Sequence, residues 1–431
     1  MKPLHRSLAS RLAAVFFLLA AGPHLAAQQV VQEVRHGRVS VDRIWVVDAA
    51  GGGDFTDIQP AVDAAASGDL VLVRAGDYTG FEICGKGLTI VGEGEATDIY
   101  GASVVCDLQV EQFVVLRSLF LHHHFASPKP GAPPILLLED NAGTAWIEDC
   151  TITAFSPWED VVRVINGSST VLVRSELTAN STIASSPHVQ RHALRATDSS
   201  VYAFETDFVA QGYSGCFGCP NTHEGDIGAL VEEAYLYAAG CTFQGGQGTA
   251  RVCLGSLCIS SPGDGGPGLR VIGMEADSLS SSFAGGSAGD NSPCPLGSPC
   301  SNDGDPGVGV EGPIEVIPLP TRTLALDGPV RSGGSAQLLA NCQPGEAVWS
   351  VYSDIPEATY IPLYFGPQLP APPVTLVFEG IADGTGTLDK LVPIPPLGLF
   401  SSFEVSFVQG LFFDALANAF IGSPSTLIVV D

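Results

Sequence analysis

From residue 135 onward, apolar positions come in short alternating runs that repeat. ILLLEDNAGTAWIEDCTITAF begins at 135, VVRVINGSSTVLVRSELTAN at 161 and HALRATDSSVYAFETDFVAQG at 192. GALVEEAYLYAAGCTFQGG follows from 228, PGLRVIGMEADSLSSSFAGG from 267, and a shortened copy, GVGVEGPIEVI, from 307. Each full copy reads as a short strand, a polar turn, a longer strand and an exit of small residues. Ile152, Leu177, Phe208, Phe243 and Phe283 hold one position of the repeat. Cys150, Ser175, Thr206, Cys241 and Ser281 stand two residues earlier, and at a side-chain period of two both rows point inward. Thr151, Glu176, Asp207, Thr242 and Ser282, one residue before the anchors, point outward. So do Asp149, Arg174 and Glu205, three before, which predicts a surface ladder of alternating charge on strands about 4.8 Å apart.

Only the connector between copies varies. It grows from SPWED through STIASSPHVQR and YSGCFGCPNTHEGDI to two long inserts, each closed by a Cys pair. The two inserts resemble each other: FQGGQGTARVCLGSLCISSPGDGGPGL and FAGGSAGDNSPCPLGSPCSNDGDPGVGV. A unit that cannot bury its inner row alone must stack, and insertions at one point of the repeat map to one side of the stack. The pattern predicts a right-handed parallel β-helix over residues 28–320.

The start of the stack has its own signature, GGGDFTDIQPAVDAAASGDLVLVRAGDYTG. Residues 56–67 read as a short amphipathic helix with Ile58, Val62 and Ala65 on one side, able to plug the first coil. Thr56 with Gln59 can form a capping box, whereas Pro60 fits best if Asp57 is the N-cap; Gly68 ends the helix. LVLVRAGDYTG, FEICGKGLTIVGEG and FVVLRSLFLHH then begin the stack. From about residue 321 the repeat gives way to short alternating strands parted by Gly and Pro, which predict a small β-sandwich over 321–431.

Composition narrows the compartment and the partners. The 431 residues include 50 Gly and 31 Pro, which favour turns over long helices. Formal charge is −27, which argues against nucleic acid and anionic membranes and makes a polyanion hard to hold without metal ions or a local basic patch. Lys2, Arg6 and Arg11 precede the apolar run LAAVFFLLAAG, and small residues around Ala27 offer a cleavage site, so residues 1–27 read as a signal peptide. The mature chain is expected to be secreted or held at the cell surface, with no transmembrane segment.

Cysteine placement fits an oxidising space. Of eleven Cys, six sit in close pairs that read as loop disulfides: Cys216 with Cys219, Cys253 with Cys258, and Cys294 with Cys300. The C-x-x-C spacing of the first pair, with His223 nearby, leaves a redox or zinc site as the alternative. Cys84 and Cys106 lie one coil apart and are expected to bridge. Cys150 and Cys241 read as small core residues, and Cys342 has no evident mate.

The stretch GGGDFTDIQPAVDAAASGDLVLVRAGDYTG followed by KGLTIVGEG resembles the opening of the pectin-lyase-like superfamily, and is similar in pattern to the N-terminal cap and first coils of pectin methylesterases. The resemblance covers about residues 45–95 in motif detail. It implies a right-handed β-helix and carbohydrate ligands. The C-terminal piece resembles, more loosely, the terminal domains of large exported bacterial proteins, where sorting or surface attachment is common. The esterase signatures around the nucleophile, G-x-x-D-F-I-F-G and a later L-G-R-P-W, do not occur here.

Candidate chemistry is therefore sparse. Arg163, Arg195 and Arg270 fall at equivalent points of the first strand, with the row broken at Val231. A lyase base or paired structural cations both fit such a row. Glu224, Asp226, Asp264, Asp290, Asp303 and Asp305 lie in oxygen-rich Asp-Gly turns that could hold calcium or could simply be turns. His122, His123 and His124 end a strand. His188, His192 and His223 lie in connectors, where they could touch a ligand together with Arg163 and Arg195. The sequence reading prefers a non-catalytic exported β-helix that binds or displays at the cell surface and recognises polysaccharide. The alternative is a polysaccharide-active lyase or esterase working from a groove on the helix.

Overall fold

The computed structural model describes residues 43–123, 133–155, 160–180, 190–212, 224–249, 252–254, 257–289, 304–361, 364, 366–398 and 401–431, with the backbone alone at 252–254 and 257–260. The chain forms the right-handed parallel β-helix that its repeats predict, followed by an antiparallel β domain.

Each coil has three strands, which stack into three faces. In one coil they are Leu136–Glu139, Thr144–Glu148 and Thr151–Ala154; in the next, Val162–Ile165, Ser169–Val173 and Glu176–Ala179. The anchor row is continuous on the third face: Ile152 pairs with Leu177, Leu177 with Phe208, Phe208 with Phe243, and Phe243 with Phe283. The rings of Phe208, Phe243 and Phe283 stack with centroids 4.7 and 5.1 Å apart. Cys150, Ser175, Thr206 and Cys241 are buried beside them, as the period of two requires.

Two columns of residues with positive φ turn the corners. Asp140, Asn166, Asp198 and Glu233 lead from the first face to the second; Ser118, Asp149, Arg174, Glu205 and Ser280 lead from the second to the third. β-Branched side chains are the ones this left-handed conformation penalises most, and each of these corner positions holds an unbranched polar residue instead.

The capping helix is Ile58–Ala64, with Asp57 as its N-cap; the Asp57 side chain accepts from the Ile58 N–H at 2.8 Å. The capping box through Thr56 is not used, since Pro60 needs the helix to start after Asp57. The helix ends at Ala65 in extended backbone, three residues before Gly68, a correction to the expected end. Ile58, Ala61, Val62 and Ala65 are buried in the same core as the coils, so the helix plugs the open end.

The antiparallel domain has a three-stranded and a five-stranded sheet around Leu324, Leu338, Val348, Val408 and Phe412. It packs on the second face of the β-helix. There the outward row Val115–Trp146–Val171–Tyr202–Tyr237 is apolar and meets Leu369 and Phe407. Strands buried on both sides read as unbroken apolar runs, and STVLV, SVYAF and YLYAA carry that signal. Near the cap, Ile428 and Phe403 pack on Leu70 and Val91.

The long connectors leave the third face and return to the first. Their glycine-rich stems form a ladder of their own: Gly246 N–H donates to Asp226 O, Gly266 to Gly246, Gly286 to Gly266 and Gly307 to Gly286, each at 2.8 Å. A Cβ on Gly225 or Gly286 would lie 1.9 Å from the Gly246 carbonyl oxygen, so these backbones approach as closely as only glycine allows.

Candidate functional site

The exposed first face carries the arginine row. Arg163 pairs with Arg195, Arg195 with Leu230, and Leu230 with Arg270. Leu230, not Val231, interrupts the row; Val231 points into the core. Each arginine is held by a carboxylate. Arg163 Nη2 lies 2.7 Å from Asp160, Arg195 Nη2 lies 2.9 Å from Glu232, and Arg270 pairs with Glu311 and, at 3.6 Å, with Glu224. Asp160 is buried and also lies 2.7 Å from Nδ1 of the buried His192. Burial works to raise the Asp160 carboxyl, but the hydrogen bond and charge of His192, with Arg163, outweigh it and hold Asp160 below the ordinary carboxylate range. Thus Arg163 and His192 meet through Asp160, while Arg195 stands one strand away with its own partner. His188, His223 and His124 lie outside the described residues.

Among the described residues, no three of the proposed calcium ligands bring their carboxylates within ligand distance of one another. Asp226 is wholly buried and ion-paired to the equally buried Arg191, whose N–H also donates to it at 3.1 Å. Asp264 accepts from the Asp305 N–H at 2.7 Å, and Glu224 stands by Arg270 and Gln190. Asp290 and Asp303 lie outside the described residues. Among the described residues, the group whose donor atoms fall within ligand distance is Glu82, Cys84 and Cys106, and its two sulfurs are bonded to each other.

Cys84 and Cys106 form the expected disulfide between register partners of adjacent coils. Cys253 and Cys258 are register partners of a two-stranded hairpin. Cys216, Cys219, Cys294 and Cys300 fall outside the described residues. Burial pushes the thiols of Cys150 and Cys241 up to about 12, which suits inert core residues.

The most concentrated charge lies where the sequence predicted a surface ladder. Arg174 and Glu205 are not a free surface: the antiparallel domain meets them through Pro424, Ser425 and Ser423, while the Asp149 side chain stays 32 % exposed. At the centre is Glu148, wholly buried. It pairs with Arg174, lies 3.8 Å from Arg117, and accepts from Trp146 Nε1 at 3.0 Å, Ser425 Oγ at 2.8 Å, Thr426 N at 2.9 Å and Thr426 Oγ1 at 2.7 Å. Arg117 donates to the carbonyls of Thr426 and Leu326 at 2.6 and 2.9 Å. Burial raises the carboxyl, but Arg117, Arg174 and the Thr426 and Ser425 hydroxyls outweigh it, holding Glu148 below its ordinary value. Glu205 is the opposite case: burial dominates and pushes it up, despite Ser423 and Arg174. Glu148 and Arg117 escaped the sequence reading, although a charge within the otherwise apolar runs TAWIE and FVVLRSLFLH is their visible trace.

The third face is differently made and only partly exposed: Glu176 and Asp207 are open to solvent, whereas His122, Thr153 and Thr178 are buried. Its outward rows run Asp98–Phe120–Thr151–Glu176–Asp207–Thr242 and Tyr100–His122–Thr153–Thr178–Val209–Gln244. His122 stacks on Phe120 at 4.8 Å and lies 2.5 Å from Asp98.

Comparison with known proteins finds no family and no curated protein that matches this chain. Among the described residues, no helix is long and apolar enough to cross a membrane.

Proposed function

We propose that the chain is an exported, non-catalytic β-helix protein of pectin-lyase-like type that binds or displays at the cell surface and recognises polysaccharide. Export rests on the leader-like residues 1–27, with cleavage near Ala27, and agrees with the Cys84–Cys106 disulfide. The observation that carries the non-catalytic reading is the pairing of Arg163, Arg195 and Arg270 with carboxylates. A guanidinium held in this way is poorly placed to take a proton from carbon. The antiparallel domain, fixed along the second face, leaves the other two faces for contact.

The second reading, a polysaccharide-active enzyme, draws on one observation: Asp160 fixes the imidazole of His192 through Nδ1, an arrangement in which the other ring nitrogen can serve as an acid or base. A glycan panel with and without calcium, scored both for binding and for unsaturated or de-esterified product, separates the two. Binding without product supports the first reading. Product that His192→Ala abolishes overturns it.

A further inference from the structure

We infer that the third face of the β-helix is the binding surface and that its ligand is an uncharged polysaccharide; this rests on the binding reading above. The second face is closed by the antiparallel domain, and the arginines of the first face are already satisfied by carboxylates. The third face has two outward rows that carry no Lys or Arg among the described residues. The row through Glu176 and Asp207 is the accessible one and presents hydrogen-bond acceptors, whereas His122, Thr153 and Thr178 of the other row are buried. Glu176 and Asp207, on neighbouring strands, are exposed, and Thr178 donates to Glu176 at 3.0 Å. At the cap end Tyr100, the register partner of His122, is 44 % exposed, next to the Phe120–His122 stack.

Such a face repels uronates and sulfated chains and complements hydroxyl donors. Carboxylates accept charge-assisted hydrogen bonds from sugar hydroxyls, and an open aromatic ring offers a flat apolar surface to a sugar's C–H face. Strands repeat at about 4.8 Å along the stack, so equivalent groups recur at a spacing suited to a polymer of repeating units. A polycation would be held by the acidic chain as a whole, without preference for a face, and would be released by salt.

The test uses the intact mature protein in high salt, against soluble mannan, glucan and galactan, with oligogalacturonate as the anionic probe. Tyr100→Ala, Glu176→Lys and Asp207→Lys are measured beside Glu357→Lys, an equal charge change at an exposed site of the C-terminal domain. The expected result is binding to at least one neutral glycan, weakened about tenfold or more by each third-face change and unchanged by Glu357→Lys. Unchanged melting temperatures exclude misfolding, and a variant that does lose stability is replaced by Glu176→Gln or Asp207→Asn. Binding that survives these changes but is lost in Arg195→Ala overturns this inference and leaves the binding reading standing. Preference for oligogalacturonate also overturns it. If no glycan binds, both fall.

Discussion

Replacing Glu148 with Ala should detach the C-terminal domain from the second face. The change strips a wholly buried carboxylate from Arg117 and Arg174 and leaves Trp146 Nε1 and the Thr426 N–H without their acceptor. Breaking a buried ion pair on one side costs about 3–5 kcal/mol. Asp149, 2.9 Å from Arg174 Nε and 3.3 Å from Arg117 Nε, retains part of the cationic charge balance, so the lower half of that range is expected. Urea unfolding followed by tryptophan fluorescence reads the loss, because Trp146 lies in the interface. The double change Glu148→Ala with Arg174→Ala should cost less than the sum of the single ones, since the second removes a cation the first left stranded. The pH dependence carries a sign. Glu148 sits below its ordinary 4.5, so its contribution is complete above that pH and disappears as pH falls through the lower folded value. Glu205 is shifted the other way: its burial penalty is present at neutral pH and relieved by protonation, which blunts the first part of the acid loss. A Glu148→Ala protein within about 1 kcal/mol of the parent, with the same acid profile, would refute the account.

Further expectations concern the stack. Phe243→Ala, which opens a hole between two stacked rings, should cost about 3–5 kcal/mol in denaturant unfolding, and Phe243→Leu much less. Gly286→Ala forces a methyl to 1.9 Å from the Gly246 carbonyl oxygen and should cost at least the 1–3 kcal/mol or so of overpacking, while Gly384→Ala, with open space around it, should be neutral in the same melt. Replacing Cys84 and Cys106 by Ser should lower stability by about 2–4 kcal/mol, and the parent should lose at least that much in reductant, which also opens the loop pairs.

The stack was legible because its signal is repeated. One inward row at a fixed offset, from Ile152 to Phe283, determines which residues pair, and coordinates place all five as partners. The cap was legible through Asp57 and Pro60, whose chemistry permits one start. What escaped was the far side of the second face. Alternation was read as inside against solvent, yet Trp146, Tyr202 and Tyr237 point outward and are buried by residues of the C-terminal domain such as Tyr360, Leu369 and Phe407, more than 100 positions along the chain. For the same reason Arg174 looked exposed. A local period shows which way a side chain points; it does not show whether water or another sheet waits there. The arginine row was placed correctly on the first strands, but its partners Asp160 and Glu232 come from a connector and a strand end, which no spacing rule joins to it.

The last strand, Ala419–Val430, touches the earliest coils: Ile428 meets Leu70 and Val91, and Thr426 reaches Glu148. A chain emerging from its amino end can wind its coils one after another, but Trp146 and Tyr237 stay bare until Tyr360, Leu369 and Phe407 arrive, and Leu70 and Val91 until Ile428 does. A chain cut short before those strands would therefore display an apolar stripe along the second face.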